Sequence, residues 1–187
     1  MQNINLFINA VTQNWVLILF NDDKKIISQK NIEILWNESS KLTTIIDEFL
    51  KENKITYFDL ENLVVVNWPW SFTWVRTIVL AINSINFIIN KNITPLSFFD
   101  LFEKYPIIKS SSRRDLFVKY EKYGTIEIIK NEDFILRDNI YWDLSNNILS
   151  EEIKINSEIN YKKVLENIIF RENKLIGPLY IKKPNIS

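Results

Sequence analysis

The sequence predicts an α/β fold in which mixed β-sheets are flanked by helices. Three short apolar stretches, separated by polar turns, precede residue 35 and predict an antiparallel meander of strands. A helix with one apolar face follows, and after it comes the continuous apolar run of residues 63–66, which is typical of a strand buried on both faces. A long apolar helix follows this strand, and such alternation of strands and helices favours the α/β class.

The first 104 residues are predicted to form one lobe. Its predicted strands and helices cover residues 5–10, 15–20, 25–34, 63–66, 73–90 and 93–96, with a further helix at 97–104. Between the third and fourth of these a helix is expected, capped by Ser39 or Ser40 and ending near Asn53. The apolar side chains of the first helix recur at i, i+3, i+4 and i+7, which places them on one face: Leu42, Ile45, Ile46 and Phe49. Pro106 interrupts the pattern, so we expect the lobe boundary near Tyr105.

Residues 105–187 are predicted to form a second, smaller lobe. A hairpin is expected over residues 116–123 and 125–130, one or two strands within 134–144, a short helix at 161–171 and an extended tail at 177–184. The whole chain has 187 residues and a mass of 22.3 kDa, which is long enough to bury a core without disulfides.

The composition excludes several classes of function. Lys plus Arg and Asp plus Glu both number 23, so the chain lacks the basic surplus of a free-standing nucleic-acid binder. It has no cysteine, and therefore no disulfide, thiolate metal site or cysteine nucleophile. It also has no histidine, so a Ser-His-Asp triad and a His-ligated zinc site cannot be built from it.

No membrane-spanning or targeting segment is predicted. The sequence does not open with a charged stub and an apolar stretch, and no apolar run approaches the roughly 18 residues of a membrane span. We therefore expect a cytoplasmic protein with no membrane partner.

The segment between the buried strand and the long helix carries the most information. In α/β proteins such a junction favours anions when glycines let the loop backbone approach a ligand. Here the chain has only two glycines but six tryptophans, and three of the tryptophans fall in this segment. The candidate motif loop consists of Trp68, Pro69, Trp70, Ser71, Phe72, Thr73, Trp74 and Arg76.

With the three tryptophans read as glycine, residues 68–76 match the hallmark Gly-Pro-Gly-Ser-Phe-Thr-Gly-[Val/Leu]-Arg residue for residue. The chain therefore resembles the TsaB family of tRNA threonylcarbamoyladenosine biosynthesis. Weaker similarities to this family lie at residues 6–12, 93–96, 113–117 and 178–182. Three features depart from it: Asn9 stands where the family has Asp in the first turn, Ala10 and Val11 replace its Thr and Ser, and the chain is shorter than typical members.

The resemblance implies the actin-like ATPase (ribonuclease H-like) fold, with the second lobe reduced. It further implies a scaffold subunit without catalytic residues, which binds and stabilises its paralogue TsaD in a heterodimer. The complex transfers a threonylcarbamoyl group to N6 of adenosine 37 in tRNAs reading ANN codons. ATP and metal are then expected on TsaD and no cofactor on this chain, with a TsaE-like ATPase as a second partner. The same resemblance implies that tRNA is contacted only through the complex and that the chain forms a homodimer when alone.

The long helix has two apolar stripes, and either could meet a partner. One contains Val75, Ile78, Val79, Ile82 and Ile85, and the other adds Leu80, Ala81, Phe87 and Ile88. The resemblance implies that this helix and the helix of Leu42, Ile45, Ile46 and Phe49 bundle with TsaD. The first stripe and the earlier helix are therefore the predicted partner-binding residues, although the sequence leaves open which stripe faces the partner.

A genetic-code hypothesis explains the tryptophans in the motif. UGA encodes Trp in some bacterial codes and Gly in others. A gene that uses UGA for glycine therefore shows Trp in place of Gly when it is translated with the code that reads UGA as tryptophan. The positions concerned are Trp36, Trp68, Trp70, Trp74 and Trp142. The alternative is that the tryptophans are real, in which case the loop is an aromatic plug that cannot cradle a phosphate. In either case helix capping is the favoured role of Ser71 and Thr73, because no base is present to activate them.

Two enzymatic alternatives are less well supported by the residues. A small ATP-dependent kinase-like enzyme of the same fold needs a carboxylate in the first turn to hold Mg-nucleotide, and Asn9 is not one. A glycoprotease, an older description of this family, is disfavoured because the chain has neither histidine nor cysteine.

Overall fold

The chain forms two compact units, each built around one β-sheet. The computed structural model describes residues 3–12, 14–33, 41–69, 71–135, 141–144 and 158–178. Unit 1 contains the chain up to Phe98 together with a second segment that begins at Leu165, and unit 2 is Phe99–Val164.

Unit 1 contains a five-stranded mixed sheet. Its strands are β1 (Ile4–Asn9), β2 (Asn14–Asn21), β3 (Ile26–Glu33), β4 (Leu60–Trp68) and β5 (Asn92–Ser97). They lie in the order β3-β2-β1-β4-β5, in which the first three form the predicted antiparallel meander and β1, β4 and β5 run parallel. The fold-class prediction of a mixed sheet is therefore confirmed.

Strand β4 lies between β1 and β5, and its position explains its sequence. Every residue from Asn62 to Trp68 is buried, as expected for a parallel strand covered on both faces. In the β1 to β4 register Asn9 pairs with Val66. The carboxyl ends of β1 and β4 therefore meet at one edge of the sheet, which brings the first turn next to the motif loop.

Two helices of unit 1 bury apolar side chains in its core. Helix α1 (Leu42–Glu52) buries Leu42, Ile46, Phe49 and Leu50. Helix α2 (Phe72–Ile89) buries Val75, Ile78, Val79, Ile82 and Ile89. Helix α2 begins and ends within one residue of its predicted bounds, and α1 ends one residue before Asn53. The N-cap of α1 is Lys41 rather than Ser39 or Ser40, which lie outside the described residues. Neither they nor any other helix in the described ranges has the length and apolar character needed to span a membrane.

Unit 2 contains a four-stranded sheet in the order β8-β7-β6-β9. Its strands are β6 (Ile107–Ser110), β7 (Asp115–Lys119), β8 (Ile126–Lys130) and β9 (Tyr141–Asp143). The β7 and β8 strands form the predicted hairpin. Strand β6 was not predicted, because Pro106 precedes it and Lys109 and Ser110 break its apolar pattern. Lys109 is nevertheless fully buried.

Two predicted helices differ from the observed elements. The helix expected at residues 97–104 is only a single 3-10 turn, Phe98–Leu101. Three of its four residues, Phe98, Phe99 and Leu101, are buried and Asp100 is exposed, which is not the one-sided burial of a surface helix. Helix α3 (Tyr161–Glu166) ends before the predicted residue 171. The residues after it are extended, and Asn173 forms a bridge with Ile93 of β5.

The division of the chain also differs from the expected lobes, 1–104 and 105–187. The first segment of unit 1 ends at Phe98, and the chain returns to unit 1 at Leu165. Hydrogen bonds explain this return: the Ile93 amide donates to the Asn173 carbonyl over 2.7 Å, and the Arg171 amide donates to Thr94 Oγ1 over 2.9 Å. Pairing across about eighty residues leaves no signal in the local sequence pattern.

Candidate functional site

The motif loop joins the carboxyl end of β4 to the start of α2. Trp68 ends the strand opposite Ser97 of β5 and is buried, as is Pro69. The Trp68 to Pro69 peptide bond is cis. Trp70 lies outside the described residues, so the structural description of the loop resumes at Ser71.

Ser71 caps helix α2. Its Oγ accepts a hydrogen bond from the Trp74 amide over 3.4 Å, and its carbonyl accepts from the Val75 amide over 3.0 Å. Thr73 is exposed, and its carbonyl accepts from the Thr77 hydroxyl over 3.0 Å. An N-cap serine satisfies one of the free amides at a helix start. Ser71 therefore has the capping role that the sequence favoured, whereas Thr73 lies within the first turn of the helix and is not its cap.

Trp74 fills the space between the first turn and α2. Its indole Nε1 donates a 2.7 Å hydrogen bond to the Ala10 carbonyl, at the end of β1. Its ring meets that of Trp15 edge to face, with centroids 5.5 Å apart and an interplanar angle of 74°. Trp15 is buried, and its own Nε1 has no hydrogen-bond partner in the described part of the chain. With tryptophan at 74 the junction is thus an aromatic plug, which is the second of the two interpretations that the sequence left open.

The polar side chains at this edge of the sheet hold the backbone. Asn9 is fully buried, and its Oδ1 accepts a hydrogen bond from the Val11 amide over 3.3 Å, within the first turn. Asn67, at the end of β4, donates from Nδ2 to the Gly177 carbonyl over 3.2 Å. Neither side chain carries a charge that could balance Mg²⁺. Within the described ranges, moreover, no three Asp or Glu residues lie close enough together to form a metal site.

The predicted partner-binding residues lie mostly in the core of the chain. Seven of the nine are buried: Leu42, Ile46, Phe49, Val75, Ile78, Val79 and Ile82. Ile45 and Ile85 are half-buried. A side chain that is packed in its own core has no surface to offer another chain. The first stripe of α2 and the apolar face of α1 are therefore core faces rather than the predicted partner-binding surface.

The second apolar stripe of α2 is the exposed one. Leu80 is 65% exposed, Phe87 86% and Ile88 71%. Together with the exposed Ser84 they recur at i, i+4, i+7 and i+8, which places them on one face of the helix. We call Leu80, Phe87 and Ile88 the α2 stripe.

Helix α1 offers a different outer face. Thr43, Thr44 and Glu48 are exposed, and Lys51 forms an ion pair with Asp47 over 2.6 Å. This face is therefore polar, and of the two helices only α2 exposes a row of large apolar side chains.

Unit 2 contains a small cavity of mainly apolar lining. The residues around it are Pro106, Ile108, Val118, Tyr120, Asp133, Phe134 and Ile135. Beside Pro106, the Tyr105 hydroxyl donates to the Phe99 carbonyl over 3.1 Å, and burial, with smaller effects of Asp100 and Tyr123, raises the pKa of Tyr105 to about 12. A phenol with this pKa stays protonated at neutral pH and serves as a hydrogen-bond donor rather than as a base.

Comparison with known proteins finds likeness in structure but not in sequence. No protein-family profile and no curated protein matches the chain. Among solved structures, YeaZ from Pseudomonas aeruginosa aligns with a TM-score of 0.60 at 12% identity, over 72% of this chain and 70% of that one. A protein described as uncharacterized, with similarity to peptidase YEAZ from Pseudomonas aeruginosa, aligns with a TM-score of 0.71 at 10% identity, over 96% of this chain and 100% of the other. The chain therefore has the fold of the YeaZ structures, the actin-like α/β fold that the sequence resemblance implied.

Proposed function

We propose that this chain is a TsaB-like scaffold subunit that binds and stabilises a TsaD-like protein. The complex transfers a threonylcarbamoyl group to N6 of adenosine 37 in tRNAs reading ANN codons. One observation carries the proposal: residues 68–76 match the TsaB motif at six of nine positions, and at all nine with the tryptophans read as glycine, and they lie at the junction of β4 and α2. The chain also shares its fold with YeaZ, a name also used for TsaB.

The α2 stripe is the proposed docking surface for the TsaD-like partner. A contiguous row of exposed apolar side chains on one helix face commonly marks an interaction site, because a surface that only faces water is rarely so apolar. The stripe also suits a helical partner, because side chains at i, i+4 and i+7 pack into the groove of a facing helix. A second copy of the chain is the other occupant that this surface admits. A dimer of the isolated chain in light scattering, which Phe87→Asp dissociates and the TsaD-like protein does not displace, would assign the stripe to a homodimer instead.

The proposal assigns the nucleotide and metal chemistry to the partner. In this chain Asn9 is uncharged, and its side chain is hydrogen-bonded to the Val11 amide within the first turn. A kinase-like activity needs a carboxylate at this turn to hold Mg-nucleotide, whichever residue stands at position 74. TsaE-like ATPase and tRNA are proposed to associate with the assembled complex rather than with this chain alone.

The test is complex formation with the TsaD-like protein of the same genome. Size-exclusion chromatography with light scattering is expected to show a 1:1 species, in which Phe87→Asp weakens the affinity at least about tenfold because it places a charge in an apolar contact. Phe58→Asp is the matched control, since Phe58 is also an exposed phenylalanine but lies outside α2, in the turn Tyr57–Asp59. The control is expected to bind like the unmodified chain.

Two outcomes would count against the scaffold. Absence of a complex between two folded proteins removes the mechanism, and nucleotide binding by the isolated chain then favours the kinase-like alternative. Equal loss of affinity in Phe87→Asp and Phe58→Asp contradicts the α2 stripe as the docking surface.

We also propose that glycine stands at positions 68, 70 and 74 in the native protein. The support is that all three glycine positions of the motif hold tryptophan while the other six positions match, in a chain with only two glycines. The test is mass spectrometry of peptides from the protein isolated from its own cells, with the peptide containing Gly124 as internal control. Tryptophan in these peptides, or UGG codons in the gene, contradicts this proposal and makes the aromatic plug the native arrangement.

A further inference from the structure

An extended segment after α3 lies along both β5 and α2. We call residues 171–177 the C-terminal strap. On the β5 side, the Ile93 amide donates to the Asn173 carbonyl over 2.7 Å, and Asn173 Nδ2 donates back to the Ile93 carbonyl over 3.2 Å. The Arg171 amide donates to Thr94 Oγ1 over 2.9 Å. The strap thus covers part of an edge strand that otherwise presents unpaired main-chain groups.

Two asparagines of α2 hold the other side of the strap. Asn83 Nδ2 donates to the Ile176 carbonyl over 2.9 Å, and Asn83 Oδ1 accepts from the Ile176 amide over 3.0 Å. Asn86 is buried, and its Nδ2 donates both to the Lys174 carbonyl over 2.8 Å and to the Lys91 carbonyl over 2.9 Å. Because these asparagines are three residues apart, both lie on the same side of the helix.

A third contact ties the strap to the motif loop. Asn67 lies at the end of β4, one residue before Trp68, and donates from Nδ2 to the Gly177 carbonyl over 3.2 Å. The strap therefore has anchors on β5, on α2 and at the start of the motif loop.

Most of the described hydrogen bonds between the anchors and the strap use the strap main chain. Two strap side chains also donate: Asn173 Nδ2 to the Ile93 carbonyl, and Lys174 Nζ to the Asn90 carbonyl at the end of α2 over 3.0 Å. Of the strap side chains Ile176 is buried, whereas Leu175, between the two asparagine anchors, is 66% exposed. Main-chain recognition of an extended segment is the mode by which peptides add to sheet edges, and it depends on geometry more than on side chains. The strap is thus recognised by its shape, with Ile176 as the single apolar anchor.

The anchors also border the α2 stripe. Phe87 follows Asn86 directly and lies one helical turn after Asn83, so the strap runs beside the exposed face of the helix. The strap is therefore held on the side of α2 that adjoins its exposed face.

We propose that the C-terminal strap is a positioning element, which fixes α2 between β5 and the motif loop and so presents the α2 stripe to the partner. This inference rests on the proposed scaffold function. Asn83, Asn86 and Asn67 are its positioning residues, and none of them contacts the partner directly.

Asn83→Leu in the full chain tests the strap, because it removes both hydrogen bonds to Ile176 while it keeps the same branched arrangement of heavy atoms. Hydrogen exchange measured by NMR is expected to speed up about tenfold or more at the Ile176 amide, and also at the Ile93 amide across the strap. Affinity for the TsaD-like protein is expected to fall about five- to tenfold although the α2 stripe is unchanged.

Matched variants separate positioning from general damage. Asn53→Leu removes a 2.8 Å hydrogen bond from an asparagine Nδ2 to the Phe49 carbonyl on α1, away from the strap, and is expected to leave the Ile93 exchange rate and the affinity unchanged. Asn83→Asp keeps an acceptor for the Ile176 amide but loses the donor to the Ile176 carbonyl. Its exchange rates and partner affinity are expected to lie between those of the unmodified chain and of Asn83→Leu, and it replaces Asn83→Leu in the test if that variant folds poorly. Leu175→Ser is expected to leave the exchange at Ile176 unaltered.

Faster exchange at Ile176 without any change at Ile93 or in partner affinity would overturn the proposal, because the strap would then move independently of the sheet and the stripe. If the unmodified chain binds no partner, the scaffold function fails, and the strap proposal is then tested only by hydrogen exchange at the Ile93 amide and the α2 amides. Exchange rates at these amides that are the same in Asn83→Leu and the unmodified chain would overturn the strap proposal too.

Discussion

The indole Nε1 of Trp74 donates a 2.7 Å hydrogen bond to the carbonyl of Ala10, and this bond joins the start of α2 to the end of β1. The same ring contacts Trp15 edge to face. Two elements that are more than sixty residues apart in sequence are thereby held at one edge of the sheet. Position 74 corresponds to a glycine of the motif, but with tryptophan there the side chain links α2 to β1.

Trp74→Phe is expected to destabilise the chain by about 1 to 2 kcal/mol, because it removes the indole donor and leaves the Ala10 carbonyl without this partner. Urea unfolding measures the change. Thr77→Val serves as the control: it removes a hydroxyl hydrogen bond on the same helix, near its surface, and is expected to change the free energy of unfolding by no more than about 0.5 kcal/mol. Equal stability of Trp74→Phe and the unmodified chain contradicts the structural role of the indole.

The two apolar stripes of α2 are expected to respond oppositely to truncation. Ile82 is fully buried, so Ile82→Ala is expected to cost about 3 kcal/mol through lost burial and the cavity it leaves. Phe87→Ala is expected to change stability by no more than about 0.5 kcal/mol, because its side chain is already in water. Chemical denaturation of both variants checks the assignment, and a large loss for Phe87→Ala would mean that the α2 stripe is packed within the chain.

Local patterns predicted the elements whose apolar residues match their burial. In α1 and α2 the apolar residues recur at helical spacing, and in β4 and the first strands of the meander they form nearly continuous runs. The motif carried the fold assignment. Strand β6 and the C-terminal strap were missed. In β6 the buried Lys109 gives a polar signal, and in the strap the stabilising contacts are main-chain bonds to residues such as Asn83, which lies about ninety positions away.

The sequence predicted where the candidate site lies in the fold, but not which of its side chains are exposed. Sequence alone located the motif loop between β4 and α2 and identified both apolar stripes of the long helix. It could not tell the buried stripe from the exposed one, because both are apolar and only the packing of α2 in the core distinguishes Ile82 from Phe87.

Two tyrosines are expected to titrate late. Burial raises the pKa of Tyr105 to about 12, and burial together with the Asp47 charge raises that of Tyr57 to about 12. Because the folded-state pKa lies above the unfolded value of 10, each phenol contributes stability that is fully present below pH 10 and is lost as the pH rises towards 12.

Tyrosinate absorbance measured against pH tests this expectation. Tyr105→Phe and Tyr57→Phe are each expected to lack one late-titrating phenol, and the double variant two. A titration curve near pH 12 that is the same in the variants and the unmodified chain contradicts the buried environment of these rings.

Lys54 occupies a position that favours glycine. It has a φ of 58° just after α1, where its amide donates to the Lys51 carbonyl and the Ile55 amide donates to the Leu50 carbonyl, the hydrogen-bond pair of a Schellman motif. Lys54 is exposed, so Lys54→Gly removes the left-handed strain at little other cost and is expected to stabilise the chain by about 1 kcal/mol.

Lys24→Gly is the matched comparison, since Lys24 has a similar φ of 63° but a further contact. Its ammonium lies 3.5 Å from the centroid of the Phe170 ring, which stacks on Phe20, so glycine there relieves strain but removes a cation–π contact. A smaller gain than for Lys54→Gly is therefore expected in thermal unfolding. A gain as large at Lys24 as at Lys54 would show that the Phe170 contact adds no stability.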